Sequence, residues 1–164
     1  MPKKRVLVPF KRGSHDHDRC IDLALAEAES ACRKQHLRFT ELRRRVLELV
    51  WSRHIPMKAY DILDELCRDG RGAAPPTVYR ALDFLLTAGL VHRIESLNAY
   101  VGCGGPGKPH IGQFLICRQC NAVAEIDAPA ITQALTQDAK RLGFRADTQT
   151  IEIKGLCSEC NVSA

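Results

Sequence analysis

A chain of 164 residues with 45% hydrophobic and 26% charged residues has the composition of a globular protein and room for one good core or two small domains. No apolar run approaches the ~20 residues that span a bilayer, and the opening MPKKRVLVPFKRG is too short in its apolar part, and too interrupted by Pro9, to be a signal peptide. A cytoplasmic location without membrane partner is expected. The net charge of +5 sits in the front half, where residues 1–98 hold 18 Lys or Arg against 13 Asp or Glu, while residues 99–164 hold six of each. A basic half suits a polyanion, because Lys and Arg displace condensed counterions from phosphates; a solvated, mildly basic face is the other reading.

Residues 1–14 read as a basic, partly disordered arm. From about Asp16 to Lys34 the spacing predicts a helix with Ile21, Leu25, Ala28 and Cys32 on one face. Thr40 can cap a second helix whose stripe is Leu42, Val46, Leu49 and Val50. Its exposed side, Arg43 to Arg45, reads as a solvated face. A third helix runs from about Lys58 to Cys67, burying Ala59, Ile62, Leu63 and Leu66, and RDGRG stops it. PPTVYRALDFLLTAG gives the fourth, with prolines at its entry, Gly89 at its exit, and Val78, Ala81, Leu82, Leu85 and Leu86 inward. Two extended runs follow, LVHRIES and AYVG.

Helix, short connection, helix and hairpin is the order of a winged helix-turn-helix, whose second helix enters the major groove. Thr77, Tyr79 and Arg80 are its outward early positions. Arg80 is the base-contact candidate, since arginine binds guanine bidentately. Tyr60 is placed to reach a phosphate, and Tyr79 reads either as a base contact or as half-buried packing.

Beyond residue 110 the pattern changes. QFLIC and AVAEID read as strands, about Pro129 to Leu142 as a helix with Ile131, Leu135 and Leu142 inward, and TQTIEIKG as a strand with Ile151 and Ile153 on one face. A unit this small calls for a metal or a partner subunit as support. The expected fold class is therefore α+β: a winged-helix domain over residues 15–98, a hinge over 99–110, and a small α/β domain over 111–164.

Two C-x2-C pairs, Cys117 with Cys120 and Cys157 with Cys160, are the pattern of a structural zinc in a reducing compartment: one tight turn presents two sulfurs to one ion, and four thiolates close a tetrahedron. A pair of redox disulfides and a surface thiol cluster are the rival readings, and the paired spacing speaks against both. Cys20, Cys32 and Cys67 fall in helices without histidines at ligand spacing, so buried packing explains them. Cys103, in VGCGG, is bracketed by His92 and His110. Thiolate and imidazole form a soft, zinc-preferring set, and Glu125 is the nearest acid across the cysteine turn. Each of these residues taken singly also has an ordinary surface explanation.

PPTVYRALDFLLTAGLVHRIES and HIGQFLICRQCNAVAEID together resemble the ferric uptake regulator family, most closely its zinc uptake regulator branch, over about residues 15–160. The resemblance implies a dimeric, metal-responsive transcriptional repressor with an N-terminal winged helix and a C-terminal dimerisation domain. It implies that Cys117, Cys120, Cys157 and Cys160 hold the structural zinc. His92, Cys103, His110 and Glu125 match the regulatory site of the zinc-sensing branch, which makes two zinc ions per subunit. Iron-sensing members usually carry more histidines before LIC than the single one in HIGQF, and a further late histidine that is absent here. Cys103 argues against the peroxide-sensing members.

The expected partner is therefore double-stranded operator DNA with an inverted repeat, bound by a homodimer when zinc locks the hinge. Iron sensing and thiol redox sensing are the alternatives. No nucleophile motif or open metal position speaks for an enzyme with a small-molecule substrate.

Overall fold

The computed structural model describes residues 5–10, 17–108 and 110–161. The chain divides into a continuous unit, residues 11–109, and a discontinuous one assembled from residues 1–10 and 110–164. It opens on strand β1 (Arg5–Val8) of the discontinuous unit, so part of the expected disordered arm is ordered. A Val-Leu-Val run has the β propensity to pair once an edge is offered. The rest of that arm, residues 1–4 and 11–14, lies outside the described residues.

The continuous unit packs helices α1 (His17–Lys34), α2 (Glu41–Trp51), α3 (Ala59–Arg68) and α4 (Pro75–Thr87) around one core. The Thr40 hydroxyl caps α2 by accepting the Arg43 N–H at 3.4 Å. The prolines of α4 occupy its first two positions, where no intrahelical donor is lost. Val46, Ile62, Leu66, Leu82 and Leu85 are fully buried, the spacing of apolar faces at a 3.6-residue period. Gly89, with φ +68°, turns the chain out of α4. Strands β2 (Val91–Ile94) and β3 (Ala99–Gly102) then pair antiparallel, His92 opposite Val101 and Val91 opposite Gly102, around Asn98 at φ 48°. Met57 bridges to Tyr100 through two backbone hydrogen bonds of 2.9 Å. Helix α2 packs on both α4 and β3.

Two expectations need correcting here. Arg43 to Arg45 are not a solvated face but half-buried: Arg43 stacks over the Phe84 ring at 3.5 Å, Arg44 pairs with Glu29, and Arg45 donates to both Asp69 oxygens at 2.6 and 3.1 Å. Long stems cover apolar surface while their heads find acids or an aromatic face. Cys67 is exposed and Cys20 half-buried; only Cys32 among the three is buried. Ile62 and Leu66 already take the inward positions of α3, and the next residue points outward.

The discontinuous unit is a four-stranded sheet in the order β1-β5-β4-β6, with β4 Gly112–Cys117, β5 Val123–Asp127 and β6 Thr150–Gly155. β1 and β5 run antiparallel, as do β5 and β4, whereas β4 and β6 run parallel. Helix α5 (Pro129–Arg141) makes the crossover between β5 and β6. It has no fully buried residue: Ile131 is 37%, Leu135 47% and Leu142 84% exposed, not inward, and Ile153 on β6 is 49% exposed. The amphipathic stripe is real, but its own chain supplies too little to cover it. Among the described residues no helix is long and apolar enough to cross a membrane.

Candidate metal centres and nucleic-acid interface

The parallel pairing of β4 with β6 brings the two cysteine pairs together. Parallel strands end on the same side of a sheet; Cys117, the last residue of β4, lies opposite Gly155, the last of β6, two residues before Cys157. Tight turns follow on both strands, with Asn121 N–H donating to the Cys117 carbonyl and Asn161 N–H to that of Cys157, each at 2.9 Å. Asn121 takes a left-handed φ of 59° where the first of these turns closes. All four sulfurs consequently lie within 4.8 Å of one another, and Cys120 Sγ stands 3.8 Å from Cys157 Sγ, contact distance rather than a disulfide bond.

The charge state of this cluster matches a cation. The N–H groups of Cys120 and Cys157, directed at the Cys117 sulfur, lower its thiol to about 6. Hydrogen bonding to Cys157, burial, and the nearby Cys117 and Cys120 push Cys160 up to about 12. One thiolate thus forms readily and the next is resisted, a resistance that a divalent ion at the centre removes. Four thiolates at this spacing suit a closed tetrahedral zinc.

Each unit also holds a further pair of metal-ligating side chains. In the continuous unit, His92 on β2 and Cys103, just past β3, offer ligand atoms within 4.8 Å of each other. Cys103 is 3% exposed, its N–H donates to the Leu90 carbonyl at 3.0 Å, and its sulfur accepts the Gly105 N–H at 3.4 Å. In the discontinuous unit, His110 Nε2 lies 2.7 Å from Glu125 Oε1, with the Glu125 side chain 2% exposed. Burying a carboxylate is costly without a cationic or hydrogen-bonding partner. Pairing it with an imidazole gives one hard and one borderline donor, as the continuous unit offers one thiolate and one imidazole.

The expected DNA face lies on α3 and α4. Tyr60 is 64% and Tyr79 42% exposed, so packing does not account for Tyr79. Arg80 is exposed, with its Nε donating back to the Pro76 carbonyl at 3.3 Å, and Thr77 is half-buried. Sequence reading missed Arg43, whose guanidinium covers the Phe84 ring one turn along α4. It also missed Trp51, whose indole occupies the space beside Gly102. No local signal marks either, since their partners are distant in the chain.

The model of the ferric uptake regulator family matches residues 34–154. The zinc uptake regulation protein of Escherichia coli (strain K12) is 42% identical over 137 residues, 83% of this chain and 80% of that protein. Among solved structures, a zinc uptake regulator complexed with zinc and DNA aligns with a TM-score of 0.81 at 40% identity, covering 85% of this chain and 94% of that one. The structure of holo XcZur aligns at 0.80 with 41% identity, covering 87% and 99%.

Proposed function

The chain belongs to the ferric uptake regulator family, and from that premise we propose that it is a zinc-responsive transcriptional repressor, binding an inverted-repeat operator as a homodimer and regulating zinc uptake genes. Two zinc ions per subunit are assigned: a permanent one on Cys117, Cys120, Cys157 and Cys160, and a regulatory one on His92, Cys103, His110 and Glu125. The observation that carries the reading is the pairing of His92 with Cys103 and of buried Glu125 with His110, one pair on each side of the 104–109 stretch GGPGKP.

When bound, zinc supplies a cross-link and the charge that a thiolate and a carboxylate neutralise. The chain's own residues do the rest. Gly104, Gly105 and Gly107 leave the connection flexible when the donors are apart; drawing His92 and Cys103 toward His110 and Glu125 removes that freedom. Only then are two recognition helices held at the spacing an inverted repeat demands, and the ion acts solely through its preference for that form. Coupling of ~1–3 kcal/mol per linked equilibrium is typical. Arg80, Thr77 and Tyr79 are assigned to the groove and Tyr60 to a phosphate. The apolar stripe of α5, exposed in the single chain, supports its assignment as the face that meets the second subunit. Four protein ligands leave no open metal position, so the chain is read as a regulator and not an enzyme.

The test is titration of the purified protein with zinc and with iron(II), following binding to an inverted-repeat operator by anisotropy. A steep gain with zinc alone is expected. An equal gain with iron, or binding that ignores both metals, overturns the assignment.

A further inference from the structure

Gly102 is the last residue of β3, directly before Cys103 and opposite Val91, whose neighbour is His92. Its backbone lies outside the left-handed region, so conformation does not demand a glycine. Space does. A Cβ at this position would fall inside the indole of Trp51, on Cε2 and Nε1 and within 2.5 Å of Cζ2. Trp51 is the only tryptophan of the chain and the last residue of α2. The Ser52 hydroxyl closes that helix end by donating to the Leu49 carbonyl at 2.6 Å, and α2 packs on α4.

We propose that Trp51, seated in the space left by Gly102, is a positioning residue that holds the thiol of Cys103 at ligating distance from His92 and ties that geometry to the helix carrying the DNA contacts. The inference rests on the regulatory-metal reading above. It follows from contiguity: α4 packs on α2, α2 ends in the indole, the indole lies on Gly102, and Gly102 is bonded to Cys103. A displaced indole moves the strand end that presents the sulfur, and a metal that fixes the sulfur presses back through the same contacts. Close-packed interiors transmit such shifts instead of absorbing them.

The experiment is a chelator-competition zinc titration of the full-length dimer, read by intrinsic fluorescence and by zinc per chain, on the native protein, Gly102→Ala, Trp51→Leu and the double variant. In the native protein the second equivalent of zinc should change the emission of Trp51. Gly102→Ala should raise the midpoint for that second zinc at least tenfold while the first stays bound. In the Trp51→Leu background, adding Gly102→Ala should shift the midpoint less than threefold, because the volume conflict is gone. Trp51→Phe, which keeps an aromatic face, should stay closer to the native midpoint than Trp51→Leu. Additive effects of the two substitutions overturn the proposal, as does a Gly102→Ala protein that melts earlier yet keeps the native zinc midpoint. If Gly102→Ala does not fold, the native emission decides: a second zinc without spectral change refutes the role of Trp51. A native protein that takes up one zinc per chain brings down the regulatory-site reading itself, an outcome distinct from a two-zinc protein indifferent to Gly102→Ala.

Discussion

Cys103→Ser separates the regulatory donor set from the fold. Cys103 is 3% exposed, and its sulfur accepts the Gly105 N–H at 3.4 Å. A serine hydroxyl can accept the same bond, so the variant should lose only about 1–2 kcal/mol of stability, the cost of burying a partly satisfied hydroxyl. Its effect on metal should be much larger. Losing a partner one shell removed from a metal already lowers affinity ~10–100-fold, and a neutral hydroxyl in place of a thiolate removes a ligand and a charge together. The zinc concentration for half-maximal operator binding should therefore rise at least ~100-fold, about 2.7 kcal/mol. Operator anisotropy across a buffered zinc series measures the midpoint, and metal analysis after dialysis should still find the four-cysteine zinc. An unchanged midpoint refutes the ligand assignment. Loss of both ions would refute the separation of Cys103 from the fold.

Arg80→Ala should weaken operator binding by ~1–3 kcal/mol and relax specificity at one base pair; an equal loss on random DNA would make Arg80 a phosphate contact. Leu135→Asp, on the bare stripe of α5, should turn the dimer into a monomer in sedimentation velocity with helix content retained, and an unchanged mass would remove α5 from the subunit interface. The hydrogen bond from Arg45 holds the Asp69 carboxyl below its ordinary range, so the stability it adds is complete above the unfolded value near ~4 and is lost as pH falls through the lower folded value. Asp69→Asn should lower Tm at neutral pH and flatten its decline in acid, whereas parallel melting curves from pH 7 to pH 3 would rule that linkage out.

The helices were legible because their apolar residues recur at 3.6-residue spacing and their ends carry local marks: Thr40 before α2, two prolines opening α4, Gly89 after it. The cysteine pairs were legible for a similar reason, since a two-residue spacer already determines the local turn. Other features depend on partners far along the chain. Nothing near Arg43 announces Phe84, and nothing near Trp51 announces Gly102. Periodicity in α5 marks an amphipathic face without saying what covers it, which is why Ile131, Leu135 and Leu142 were expected inward and stand exposed. The His110–Glu125 pair is intermediate: the residue types suggested a metal, but only the strand pairing shows that Glu125 is buried.

The sheet also has an order in time. Val6 on β1 pairs with Ile126 on β5, 120 residues later, and all of the continuous unit, residues 11–109, lies between them. At the ~5–20 residues per second of synthesis, β1 waits on the order of ten seconds for its partner to be made. The helical unit, built from nearer neighbours, has time to form completely within that interval. The closing strand carries the largest loop-closure cost of the sheet and adds only one edge. As an edge strand held to the sheet across the longest loop, its amide protons should be the first of the sheet to exchange with solvent.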